Sequence, residues 1–199
     1  MDYRKQFIDK LISTSREGSE NIITELDQLG FFSAPASSRF HLNREGGLLE
    51  HSMNVCNVAL DVREVMIARQ PSLADKLPID SVIITALLHD TCKADIYRPN
   101  IVGSTIGKFS PRVPKYIVDH SLFPLGHGEK SVIMLLKWGL KLTDDEIMAI
   151  RWHMHAWDLP FQSPDLKGNF QAAKARCPLL SLTQAADGLA SHLLETTRS

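Results

Sequence analysis

The stretch Val82-Ile83-Ile84-Thr85-Ala86-Leu87-Leu88-His89-Asp90-Thr91-Cys92-Lys93 decides how this chain is read. It follows Pro78-Ile79-Asp80, where Asp80 is suited to cap a helix, and Val82 to Leu88 is apolar nearly all round. Such a segment is expected to be a central, buried helix. A His and an Asp at its end are costly in apolar surroundings unless something satisfies them. Helix capping is one answer, because the dipole favours a His near a C-terminus. A metal or catalytic role is the other.

Outward from this helix the patterns are mostly helical. On the N-terminal side, Phe7 and Leu11 form a short apolar stripe, and Ile22, Ile23, Leu26 and Leu29 form another that ends at Gly30. Phe31 to Phe40 reads as a loop. Gly46-Gly47 opens a long helix with Leu48, Val55, Val58, Ala59, Val62 and Met66 at helical spacing, closed by Pro71. On the C-terminal side, Pro and Gly punctuate residues 96–126. Ile101 to Ile106 and Lys115 to Val118 are expected to pair there as a small hairpin. Helices resume over Gly128 to Leu140. Thr143-Asp144-Asp145-Glu146 is a capping box that starts a helix running to about Ala156, and residues 157–167 read as loop. Phe170 to Arg176 and Pro178 to Leu194 are the last helices. The fold class expected is all-α, a helical bundle with an irregular or hairpin insertion at 96–126. One domain of 199 residues is expected, with N-terminal helices over 1–45 and a core over 46–195.

Composition narrows the function classes. Lys plus Arg number 22 and Asp plus Glu 23, a net charge of -1, which argues against an extended nucleic-acid or anionic membrane surface. The longest apolar runs fall far short of the roughly 20 residues a membrane span needs. Met1 to Leu11 does not read as a signal peptide. Three Cys make no disulfide framework and fit a reducing cytoplasm, so a cytoplasmic location is expected. The count that stands out is eight His, since His serves as both metal ligand and acid–base group.

Two further positions bear on His89 and Asp90. His51 lies in the first turns of the long helix. Asp187 lies among small residues of the last helix, in Gln184-Ala185-Ala186-Asp187-Gly188, where an unpaired carboxylate needs a cation. Together they offer two imidazoles and two carboxylates, a suitable ligand set for a divalent metal. Lys93, four residues beyond His89, projects near the same place. It reads as a phosphate-binding cation or as a solvated helix-end Lys.

The order His51, His89-Asp90, Asp187 on helices resembles the HD-domain metal-dependent phosphohydrolase superfamily, over roughly residues 45–195. Lys93, the approach Gly46-Gly47-Leu48-Leu49-Glu50-His51 and Ala186-Asp187-Gly188 belong to the same resemblance. It implies one metal held by His51, His89, Asp90 and Asp187. It also implies a second completed by His127 and His153, with Asp90 bridging both. Mn, Fe, Co, Zn, Ni or Mg all suit such ligands. His155 competes with His153: on a regular helix the two point about 200° apart, so only one can serve. The resemblance favours Lys93 as a catalytic and phosphate-binding residue. Lys130, Arg151 and Arg44 are weaker substrate-binding candidates, with His41 beside Arg44. Cys92 carries no implied ligand role. His120 and His192 read as incidental, Cys56 and Cys177 as packing residues, and Trp138, Trp152 and Trp157 as core.

The function implied is hydrolysis of a phosphomonoester or phosphodiester, of a nucleotide by analogy, by metal-activated hydroxide, with the insertion placed to wall the pocket. Two metals can activate a hydroxide and stabilise the displaced oxyanion. Two alternatives remain. Diiron oxygenases of the superfamily, resembling myo-inositol oxygenase, use the same ligand order. A non-catalytic nucleotide-binding module is the third reading.

Overall fold

The structure is a computed structural model that describes residues 2–101, 114–155 and 163–196. Helix α1 (Tyr3–Ser13) is capped by Asp2, whose carboxylate accepts the Lys5 N–H. α2 (Ser19–Leu29) closes at Gly30, in the left-handed conformation with φ of 84° that glycine favours. A loop leads to α3 (Gly47–Arg69), followed by a short 3-10 turn and α4 (Ile79–Leu88). After His89-Asp90 come a four-residue helix, α5 (Lys93–Ile96), and strand β1 (Tyr97–Pro99). Strand β2 (Tyr116–Val118) pairs antiparallel with β1, with Tyr97 opposite Val118. Then follow α6 (His127–Lys137), α7 (Asp144–Trp152), α8 (Pro164–Arg176) and α9 (Pro178–Leu189), which runs into a π turn over Ala190–Leu194.

The described residues are mostly helical, and α4 is the hub. Ser81 to Leu88 are all buried, and α4 packs against α1, α3, α7 and α9. An apolar helix with no solvent face is what its composition demanded. Its hydroxyls are satisfied: Thr85 Oγ1 donates to the Ser81 carbonyl at 2.8 Å and Ser81 Oγ to Glu146 at 2.6 Å. One hydrophobic cluster includes Phe7 and Leu11 of α1, Leu48 and Met53 of α3, Leu87 of α4 and Leu180 of α9. Trp152 is buried in it and Trp138 packs against it. Among the described residues no helix is long and apolar enough to cross a membrane.

Several boundaries differ from those read in the sequence. Asp80 is not the cap of α4. Pro78 holds that position and Asp80 lies in the first turn, where its charge still faces the favourable end of the dipole. The strand opposite Tyr116–Val118 is Tyr97–Pro99 rather than Ile101 to Ile106, of which 102–106 lie outside the described residues. The Thr143–Glu146 capping box is present, but α7 ends at Trp152 and not near Ala156. α8 starts at Pro164, within the expected loop, because the Ser163 hydroxyl caps it and Pro164 fits its first turn. Trp157 lies outside the described residues.

Candidate metal centre

Five helices deliver side chains to one buried point. His51 comes from the second turn of α3. His89 and Asp90 come from the turn where α4 ends, His127 from the first residue of α6, and His153 from the residue after α7. Asp187 comes from the last turn of α9. His51, His89, Asp90 and His153 are buried.

Asp90 organises the cluster through its two oxygens. Oδ2 lies 3.2 Å from His51 Nε2 and 3.3 Å from His89 Nε2. His51 Nε2 is also 3.4 Å from Asp187 Oδ1. Oδ1 faces the other way, 2.6 Å from His127 Nε2 and 3.4 Å from His153 Nε2. The six residues implied by the resemblance are therefore together, divided into two sets by one carboxylate. Lys93 Nζ adds an ion pair to Oδ2 at 2.5 Å.

Each ring is held by its far nitrogen. His89 Nδ1 lies 3.0 Å from the Ala86 carbonyl, and His153 Nδ1 lies 2.7 Å from that of Ile150. His127 Nδ1 lies 3.4 Å from Cys92 Sγ. His51 Nδ1 lies 3.0 Å from Glu195 Oε2. An Nδ1–H donated outward leaves the Nε2 lone pair facing inward, which is how metal-binding imidazoles are oriented. His153 Nε2 is buried and makes no hydrogen bond, although Asp90 Oδ1 is 3.4 Å away. His51 Nε2 and His89 Nε2 face each other at 3.3 Å. An orphaned buried nitrogen and two nitrogens facing each other are the arrangement a cation between them would satisfy. Three overlapping groups have the spacing to hold an ion: His51, His89 and Asp187; His89, Asp90 and His153; and His41, His51 and Glu195.

The electrostatics agree with a cluster built around an anion. Burial raises the pKa of Asp90, but Lys93, His89, His127 and His153 outweigh it and hold the carboxyl well below its ordinary range. Burial opposes charge on His51, yet hydrogen bonds to Asp90 and Glu195 lift its pKa to about 9. Burial, Lys93 and His51 bring His41 down to about 4, so this ring is neutral near pH 7.

The close approach of α6 to α7 depends on Gly128. A Cβ there would lie 2.2 Å from the Arg151 carbonyl oxygen. Glycine thus lets the His127 turn reach the His153 turn. Ser131 Oγ, one turn on, accepts the Cys92 N–H at 3.1 Å and fixes α6 against the Asp90 loop. Gly128→Ala is expected to destabilise the protein by about 1–3 kcal/mol through overpacking. Gly168 in α8 has nothing within 4 Å of its Cβ position. Gly168→Ala should stabilise by roughly 0.5–1 kcal/mol. Thermal denaturation of the two variants should therefore shift in opposite directions. A Gly128→Ala protein as stable as the parent would mean that the close approach is not a constraint.

A cavity of about 760 Å³ opens over the cluster, lined by residues that include Phe40, His41, Lys93, His153, Asp187 and Glu195. His153 and His155 face different surroundings. His153, whose backbone is still helical just past Trp152, brings its Nε2 to 3.4 Å from Asp90 Oδ1, while His155, with φ of 54°, lines the cavity without joining the cluster. His192 lines it too, and His120 is exposed.

The remaining candidate substrate-binding cations are elsewhere. Lys130 is buried in an ion pair with Asp95 of α5. Arg151 pairs with Glu129 at 2.7 Å and lies over the Trp152 ring. Arg44 pairs with Glu50. None of the three is among the residues lining the cavity, which leaves Lys93 as the Lys or Arg of the described residues that lines it. Glu195 was not singled out from the sequence, and neither was Asn54, whose Nδ2 donates to Glu195 Oε1 at 3.0 Å. No family model matches the chain, and neither curated proteins nor solved structures yield a match.

Proposed function

We propose that the chain is an HD-type metal-dependent phosphohydrolase that cleaves a phosphomonoester or phosphodiester, of a nucleotide by analogy. The observation that carries this reading is the division of labour within Asp90. Oδ2 faces His51 and His89, while Oδ1 faces His127 and His153. One carboxylate facing two nitrogen sets suits a pair of divalent ions. His51, His89 and Asp187 would complete one site, and His127 and His153 the other. Ions held there would supply Lewis acidity and a lowered pKa for water.

The chain's own residues do the rest. The Nδ1 contacts keep four Nε2 atoms converged, so the centre is organised before substrate arrives. Lys93 is buried, charged and on the cavity wall, placed to neutralise a phosphoryl oxygen as charge builds there. Phe40 and Met154 give the same cavity an apolar wall for the organic part of the ester.

The test is metal analysis of the purified protein together with a phosphate-ester panel. The panel holds nucleoside monophosphates, triphosphates and cyclic and linear dinucleotides, each with Mn, Fe, Co, Zn, Ni or Mg. About two metal equivalents and hydrolysis of at least one ester class are expected. Metal binding without any ester cleavage would sink the phosphohydrolase reading. Oxygen uptake by the iron-loaded protein would put the diiron oxygenase in its place.

A further inference from the structure

Of the four inward-facing imidazoles, His51 is set apart by what holds it. The Nδ1 partners of His89 and His153 are neutral backbone carbonyls, and that of His127 is a thiol. His51 Nδ1 instead lies 3.0 and 3.1 Å from the two oxygens of the Glu195 carboxylate. Glu195 is only 5% exposed, and Asn54 donates to it from the next turn of α3. A buried carboxylate so engaged is costly to desolvate, and it needs a compensating role.

The backbone is adapted to bring it there. Asp187 and Glu195 are eight residues apart, which on a regular α-helix separates their directions by about 80°. The chain departs from that geometry between them. Ala190–Leu194 forms a π turn, closed by Glu195 N–H donating to the Ala190 carbonyl at 3.1 Å. A π turn absorbs one extra residue and winds the register back by roughly 100°. Asp187 and Glu195 then stand as i and i+7 would, on one face, and both reach His51. Asp187 Oδ1 lies 3.4 Å from Nε2 while Glu195 meets Nδ1. One helix end thus grips both nitrogens of the ring.

We propose that Glu195, delivered by the π turn, is the positioning residue that orients His51 and sets how tightly the His51–His89–Asp187 half of the centre holds its ion. A carboxylate behind an imidazole fixes its tautomer and raises its strength as a ligand, and such outer partners are typically worth 10–100-fold in metal affinity. The neutral partners of the other rings supply orientation without that added basicity. This inference rests on the metal-binding part of the reading above and not on the reaction assigned to it.

The experiment is chelator-competition titration of metal into the full chain and into its Glu195→Gln variant. Glutamine keeps the size and one acceptor, so the fold is preserved while the charge is removed. One binding step should weaken by about 10–100-fold, with the other within about threefold. Glu195→Ala should weaken the same step at least as much. The visible spectrum of the cobalt(II)-loaded protein should shift for the ion bound in that step. Unchanged affinity in both variants overturns the proposal. Equal weakening of both steps overturns it too, because it would mark a general packing role. A protein that binds metal but cleaves no ester loses the phosphohydrolase assignment and keeps this one. A protein that binds no metal loses both.

Discussion

Asp90→Ala is expected to lose both metal equivalents together, and with them at least about 100-fold of any ester-cleaving activity. The reason lies in which atoms the side chain shares. His51 and His89 meet Oδ2, whereas His127 and His153 meet Oδ1. Deleting this carboxylate removes an anion from each set at once. Loss of an outer partner typically costs 10–100-fold in affinity, so loss of a ligand common to both sets should exceed that range. His127→Ala is the informative comparison. It touches the Oδ1 set alone, and about one equivalent should remain. The Asp90 variant also leaves Lys93 buried without its partner at 2.5 Å. Asp90→Asn keeps the shape and an oxygen that can accept from Lys93, and should show the same loss of metal with less disturbance of packing. Retention of one full equivalent by both Asp90 variants would show that this carboxylate does not serve two sites, and the dinuclear reading would fall.

How much of this was legible before the structure depended on the kind of signal. α4 was readable because seven consecutive apolar or small residues, Val82 to Leu88, leave no solvent face. α7 was readable at its start because Thr143 and Glu146 form a reciprocal cap, which is local chemistry. The end of α7 was not. Nothing within Arg151-Trp152-His153-Met154-His155 marks a stop, and the helix ends where His153 turns to the Asp90 cluster. The six inward-facing residues were recognised from their order along the chain, with help from a family resemblance. Glu195 was missed because its place depends on a π turn, a change of register that no spacing rule anticipates. Lys130 and Arg151 misled for a related reason. Both are close in sequence to a histidine of the cluster, but Asp95 and Glu129 turn them elsewhere. Proximity in sequence placed them near a histidine of the cluster but did not set the direction in which they point.

The second large effect is expected far from the cavity. Arg16→Ala should lower stability by about 3–5 kcal/mol, because it strands a buried anion. Glu146 is fully buried in the first turn of α7. Its Oε2 accepts from Arg16 Nη1 at 2.6 Å and from the Thr143 N–H at 2.8 Å, and its Oε1 accepts from Arg16 Nη2 at 2.8 Å and Ser81 Oγ at 2.6 Å. The bidentate geometry is the strong form of such a pair. It joins three parts of the chain: the α1–α2 turn, the start of α4 and the cap of α7. Arg16 also donates to the Lys141 carbonyl at 2.8 Å, a further contact that the variant loses. At roughly 2–4 °C per kcal/mol for a chain of this size, the melting temperature should fall by about 6–20 °C. Removing the charge as well should recover part of the loss. Glu146→Gln in the Arg16→Ala background leaves a neutral amide, whose oxygen can accept the Thr143 N–H and whose NH2 can donate to Ser81 Oγ, where an unpaired carboxylate would otherwise remain. Denaturation of the single and double variants gives the coupling directly. An Arg16→Ala protein that melts within 2 °C or so of the parent would mean that water reaches Glu146 and that this ion pair is not what holds the N-terminal helices to the start of α7.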